Sequence, residues 1–248
     1  MAIEHWLLPL IVAAFCSIYL LGYFVVFRKW SPKHRPEASS CFMSLFHGTP
    51  AVLLAIPALL LPRPVRRFAA PNTGLQSLVL DFSTAYFAVD LLHYLFFIPP
   101  QASLYVAHHL AALFVFLTCR YLVAHGAFSI LVLLVLAEVT SACENAVTLT
   151  GLRKTESAVA AKVHRWVTPA FYAAFTVARG LVGPVFFYKM SAYYLSGKAR
   201  DVIPAWVSTS WIVVVGGAIL GSILWISNLW FNFFRVENNV EMNKAIDV

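Results

Sequence analysis

The chain has 248 residues, 60% of them hydrophobic and only 12% charged, with a formal net charge of +7, and its mean hydropathy is +0.77. A soluble domain carries about 25% charged residues, so a soluble globular fold is excluded. Long unbroken apolar runs exclude a membrane barrel, which would show ~10-residue alternating segments. The basic residues lie mostly between the apolar runs, a pattern of membrane topology and anionic headgroups that excludes nucleic acid as a partner.

A hydrocarbon core of ~30 Å takes about 20 helical residues. Seven such spans fit, which predicts an all-α polytopic bundle. The first covers residues 6–27; it lacks a preceding Lys or Arg and a small-residue cleavage site, so it reads as a retained anchor. A basic segment, 28–36, ends it. The second, 41–61, contains Pro50 and Pro57 and is expected to kink. A loop with Arg63, Arg66 and Arg67 leads to the third span, 75–98, which Pro99-Pro100-Gln101 turns sharply into the fourth, 103–121. The fifth covers 128–150, a polar loop 152–166 follows, and the sixth covers 167–190 with Arg179 inside it. The seventh, 205–234, is long enough to tilt.

The chain thus divides into an N-terminal helix and basic loop (1–39), a helical domain (40–235) and a polar tail (236–248) expected to be disordered at its end. Cys16, Cys41, Cys119 and Cys143 form no CxxC and read as buried free thiols. Gly217 and Gly221 are spaced for close helix packing. With an outside N-terminus, ten Lys and Arg fall on the inner side (28, 29, 33, 35, 153, 154, 162, 165, 235, 244) and seven outside (63, 66, 67, 120, 189, 198, 200). That bias places the N-terminus lumenal and the C-terminus cytoplasmic.

Titratable groups are costly inside a bilayer unless paired or set in a polar cavity. Residues three and four apart share a helical face. Tyr86, Asp90, His93 and Tyr94 form such a stripe on span three, Tyr105, His108 and His109 on span four, and Glu138, Ser141 and Asn145 on span five. At ~1.5 Å per residue, Asp90 lies ~13 Å and His93 ~9 Å from the inner boundary, with His108, His109 and His47 at similar depth. Two layers are predicted: a His-rich one in the inner half (His47, Asp90, His93, His108, His109, Asn145) and Glu138 with Arg179 near the midplane. Glu138 and Arg179 read either as part of a site or as an ion pair joining spans five and six. His47 reads as a ligand contact or a helix–helix hydrogen-bond partner, and Tyr86 as a substrate contact or as packing. His5, His34, His125 and His164 read as loop residues.

Three histidines and a carboxylate are also the donor types of a zinc hydrolase site. Adjacent His108 and His109 diverge by ~100° on a helix, however, so only one would bind a given ion. No metal or resident cofactor is assigned.

The ordered set Ser44-Leu-Phe-His47, Tyr86-x-x-x-Asp90-Leu-Leu-His93-Tyr94, His108-His109, Glu138-x-Thr140-x-x-x-x-Asn145 and Phe175-x-x-x-Arg179 resembles the TLC domain, shared by ceramide synthases, translocation-associated membrane proteins and other TLC domain-containing proteins. The resemblance implies that the last six helices enclose a polar-lined lipid cavity. It implies catalytic roles for His108 and His109 with Asp90 and His93, and substrate contacts from His47, Tyr86, Glu138, Ser141, Asn145 and Arg179. By the same resemblance, the expected function is the handling of membrane lipids, either by sensing or binding them in membrane lipid homeostasis or by acyl transfer to a lipid with acyl-CoA as co-substrate; membrane lipids are the expected partners, a homodimer is admissible, and the expected location is the endoplasmic reticulum or another endomembrane. The synthases carry His-Asp-x-x-Asp where this chain has Ala137-Glu138-Val139-Thr140-Ser141, which is similar to the non-synthase TLC domain-containing proteins.

Overall fold

Within hydrocarbon every backbone N–H and C=O must be satisfied by the chain itself, and continuous helix is the local solution for an open chain. The computed structural model describes the backbone of residues 2–60, 67–97 and 102–246 and the side chains of 6–60, 67–97 and 103–235. It is 86% helical, with no strand among the described residues. Among the described residues, seven helical stretches are long and apolar enough to cross a membrane: Trp6–Val26, Arg35–Leu60, Gly74–Phe96, Ser103–Val123, Ala127–Arg153, Ala158–Leu195 and Ala205–Arg235. Arg63, Arg66 and the Pro99-Pro100-Gln101 turn lie outside the described residues.

Helix α1 is Ala2–Leu21, α2 Arg35–Leu60, α3 Gly74–Phe96, α4 Ala102–Leu117, α5 Ala127–Glu138, α6 Ser141–Arg153, α7 Ala158–Phe175, α8 Gly183–Leu195 and α9 Ala205–Ile246. Three spans carry wide π-helical turns, at Gly22–Val26, Thr118–Val123 and Thr176–Val182. Such turns are rare in ordinary helices and concentrate at functional sites. The third of them holds Arg179.

Helix α3 is the most enclosed span, packed against α1, α2, α4 and α5. Its start is sharp because Thr73 and Gln76 form a reciprocal capping box, and Gln76 also donates to the Ala58 carbonyl near the end of α2. Helix α9 lies at the periphery, touching α4, α7 and α8; Val207 and Trp211 near its start are buried, while Val213, Leu220, Leu224 and Phe231 are exposed. Helix α1 is one wall of the bundle: Phe15 is buried against Phe82, Tyr86 and His47.

The spans differ from the sequence expectation in four ways. Helix α2 begins at Arg35, six residues before the expected start, and runs unbroken past Pro50 and Pro57. The fifth span is two helices separated by Val139 and Thr140. Most of the expected loop 152–166 is helix, because Ser157 caps α7 by accepting from the Ala160 N–H. His164 therefore sits on α7, where its Nδ1 faces the Val147 carbonyl and the Thr150 hydroxyl of α6. Finally, Cys143 is exposed, whereas Cys41 and Cys119 are buried.

On the side away from the basic loops, a strap locks the helix ends. Asn72 Nδ2 donates to the Cys119 carbonyl, and its Oδ1 accepts from the Ala127 N–H that starts α5. Gly126 has φ +84°, and a Cβ there would stand 3.1 Å from the Tyr194 hydroxyl and 3.2 Å from the Phe68 carbonyl. Asp81, which faces away from Asp90, accepts from Arg120 Nε at 3.1 and 3.2 Å and from the Tyr121 hydroxyl at 2.7 Å.

Candidate functional site

Asp90 is buried six residues before the end of α3, with Ser40, Tyr86 and His109 around it. Ser40 Oγ donates to Oδ1 at 2.6 Å, Tyr86 Oη to Oδ2 at 3.3 Å, and His109 Nε2 lies 2.9 Å from Oδ2. The other nitrogen of the His109 ring faces the Tyr105 carbonyl one turn earlier at 2.7 Å. A carbonyl only accepts, so Nδ1 carries a hydrogen. Any hydrogen in the Nε2–Oδ2 contact is a second one, shared within the pair. Both ring nitrogens are occupied, and His109 is fixed in place. Buried polar groups need this degree of satisfaction when no water can replace a lost partner.

His47 is buried in the adjoining layer. Its ring lies flat on Tyr86 (centroids 4.0 Å apart, planes 5° from parallel), its Nε2 meets Ser83 Oγ at 3.1 Å, and its Nδ1 stands 3.8 Å from Glu138. Glu138 ends α5 at the break in the fifth span. Gly48 permits the approach: a Cβ there would meet Ser141 Oγ at 2.7 Å and Glu138 Oε2 at 2.9 Å. One turn further along α6, Asn145 Nδ2 donates to Ser44 Oγ at 2.9 Å and lies 3.4 Å from Ser141 Oγ. His47 Nδ1 and Thr140 Oγ1 are buried without a hydrogen-bond partner.

A third group faces empty space. Helices α4, α5 and α9, with the π-helical turn at Thr176–Val182 and Gly183 of α8, border a partly open cavity of about 130 Å³ with almost entirely apolar walls. His108 and Arg179 both line it. The two adjacent histidines thus part ways, with ring planes 84° apart. His108 makes ring contact with Phe87 and has no hydrogen-bond partner among the described residues. Arg179 Nη2 donates to the Ala137 carbonyl at 2.6 Å, its guanidinium lies 4.8 Å over the Phe175 ring, and its Nε is buried without a partner.

The structure therefore joins Asp90, His109 and Tyr86 in one network, His47 with Glu138 in a second, and Ser141 with Asn145 in a third, while His108 and Arg179 share the cavity. The two predicted layers meet, since Glu138 approaches His47. No ion pair joins Glu138 to Arg179 among the described residues; the guanidinium is turned to the carbonyl that the break of span five leaves free. His93 also departs from the expectation. Its Nδ1 bonds the Tyr19 hydroxyl at 3.0 Å, which ties α3 to α1 and directs the ring away from the cavity.

The lining of the cavity is more apolar than the expectation of a polar-lined one, its polar groups being His108, Arg179 and Ser222. The zinc reading finds no donor set, since no group of three His, Cys, Asp or Glu is gathered among the described residues.

Sequence reasoning missed Ser40, Ser83 and Tyr19. Each is a hydroxyl on an apolar helix, a signal too common to single out. Glu144 was missed as well. It lies one turn into α6, half-buried and without an ion-pair or hydrogen-bond partner for its carboxylate among the described residues, and a carboxylate within the fifth apolar run was a readable signal.

Comparison with known proteins identifies the family. The TLC domain signature matches residues 37–231. TLC domain-containing protein At5g14285 of Arabidopsis thaliana is 54% identical over 243 residues, covering 96% of this chain and 95% of that protein. No solved structure matches. With its seven spans, its ordered polar motifs and this end-to-end similarity, the chain belongs to the TLC-domain family of multi-pass membrane proteins.

Proposed function

We propose that the protein handles a lipid acyl chain in the interior cavity, and that its chemistry is acyl transfer to a lipid acceptor at His108. The observation that carries this reading is the pair of cationic or basic side chains in the cavity wall. His108, an imidazole with no hydrogen-bond partner among the described residues, and Arg179, whose Nε is buried and unpaired, line an otherwise apolar cavity. His109, in contrast, is spent on Asp90 and Tyr105 and acts as a positioning residue for α4. A His108 nitrogen would attack the thioester carbonyl of an acyl-CoA, forming an N–acyl bond. The C–S bond breaks, and the thiolate leaves and takes up a proton. An acceptor hydroxyl or amine then takes the acyl group and gives its proton to solvent, which restores the imidazole. Arg179 is placed to favour negative charge developing on the carbonyl oxygen.

Membrane lipids are the partners in this reading. The location is the endoplasmic reticulum or another endomembrane, with the basic loops facing the cytoplasm and the soluble thioester donor. Incubation of purified protein with acyl-CoA and lipid amines or hydroxyls should release free thiol and yield an acylated lipid, and His108→Ala should abolish both. Absence of turnover, with an unchanged lipid profile in cells rescued by His108→Ala, would sink it.

One observation favours a non-enzymatic alternative in which the cavity only holds or senses a lipid. Glu138 faces His47, and no carboxylate touches His108 among the described residues, so the cavity histidine lacks an acid–base companion. A defined lipid that co-purifies without conversion would select that reading.

A further inference from the structure

We infer that the ligand of the cavity at rest is a single-chain amphiphile with a carboxylate head, an unesterified fatty acid, bound head-first at Arg179. This rests on the reading that the cavity takes an acyl chain, and it names the head that the chain carries.

Three features of the cavity select the ligand. The first is the guanidinium. Only Nη2 is committed to the protein, through the Ala137 carbonyl, while Nε is buried and unpaired. The unpaired Nε–H and the second hydrogen of Nη2 form the fork that matches a planar carboxylate in two parallel bonds, the geometry in which Arg recognises carboxylates best. An N–H buried without a partner is costly, so a ligand oxygen there restores a missing bond. His108 stands beside it on the cavity wall as a second donor.

The second feature is depth. Arg179 lies in the middle of the 38-residue sixth span, far from either helix end. A phosphate-bearing headgroup belongs at the interface, where six exposed cations (Arg28, Lys29, Lys33, Lys154, Lys162, Arg165) gather. One guanidinium and one imidazole are a weak match for a doubly charged phosphate in hydrocarbon. Glu138 and Glu144 are within electrostatic reach of Arg179, but neither pairs with it. Its Nε–H therefore has no carboxylate partner among the described residues, and a ligand carboxylate supplies one.

The third feature is shape. A cavity of about 130 Å³ resembles the 150 Å³ apolar cavity known to admit one benzene ring. That volume takes part of one chain. Besides Arg179, its walls include Ala112 and Val115 of α4, Ile130 of α5, and Val214 and Ala218 of α9. Helix α9 is the peripheral helix, so the remainder of a longer chain can leave between α4 and α9 into lipid. A fatty acid held this way occupies the place of an acyl donor and competes with it.

The test is photolabelling of full-length protein in nanodiscs with a long-chain fatty acid carrying a diazirine on the chain. Label should map to residues 108–116 and 214–222. Excess unlabelled fatty acid should compete, and its methyl ester should compete at least about tenfold less well, the equivalent of one lost charge-assisted bond. Arg179→Gln should weaken labelling to a similar degree. Because Arg179 also bonds the Ala137 carbonyl, Ala218→Phe serves as a second variant that fills the cavity and leaves the guanidinium intact; it should abolish cavity label at unchanged thermal stability. Equal competition by acid and ester, or full labelling of Arg179→Gln, overturns the carboxylate assignment while leaving a lipid-binding cavity. Absence of cavity label from both the acid probe and an equally tagged ester overturns the underlying lipid reading as well.

Discussion

At the residue scale, the adjacent pair His108-His109 divides into two roles, and substitution should separate them. His109→Ala takes a buried partner from the Asp90 carboxylate, Asp90→Ala strands His109 Nε2 and the Ser40 and Tyr86 hydroxyls, and each should destabilise the protein by about 3 kcal/mol. His108→Ala removes no hydrogen bond among the described residues. It should leave the unfolding midpoint in detergent nearly unchanged while abolishing lipid conversion. A His108→Ala midpoint as low as that of His109→Ala would contradict the division. Glycines give a second contrast. Gly48→Ala drives a methyl group into Ser141 and Glu138 and should cost about 1–3 kcal/mol. Gly217→Ala meets nothing within 4 Å and should stabilise α9 by about 0.5–1 kcal/mol. The opposite signs are measurable in one set of thermal melts, and Gly217 is thus not the tight packing position that its spacing to Gly221 suggested.

At the element scale, the helices are held to each other by a few side chains that span the joints. Without a hydrophobic drive between helices in lipid, such packing and hydrogen bonds carry the specificity. Asn72 fastens the strap before α3 to both the π-helical turn at Thr118–Val123 and the start of α5. Asn72→Ala should cost about 1–2 kcal/mol and accelerate hydrogen exchange at Ala127 and its neighbours. Exchange unchanged at Ala127 would count against this joint. Tyr19 does the same for α1, which lies outside the matched domain yet packs Phe15 and Tyr19 onto His47 and His93. Tyr19→Phe should cost about 1 kcal/mol and leave the opposite end of α3, with its Asp81–Arg120 pair, unaffected.

At the scale of the whole molecule, if all seven candidate spans cross the membrane, the two termini face opposite sides. The Lys and Arg count predicts that a tag at the C-terminus is digested by protease added to sealed microsomes and that a tag at the N-terminus is protected. The reverse pattern would invert the proposed access route for a soluble donor. The number of spans, their approximate ends, the helical class and the family motifs were all legible in the sequence, because long apolar runs have one stable solution in hydrocarbon and backbone hydrogen bonding is local. Shared faces such as that of Tyr86 and Asp90 were legible for the same reason, since they depend only on the turn of one helix. Tertiary structure alone decided which face meets which neighbour. It broke the fifth span at Val139 and Thr140, turned Arg179 from the expected Glu138 to a freed carbonyl, gave His93 to α1, and sent His108 and His109 to different surroundings. Those outcomes depend on rotation, depth and π-helical offsets of a few ångströms between segments distant in the chain, and no local pattern encodes them.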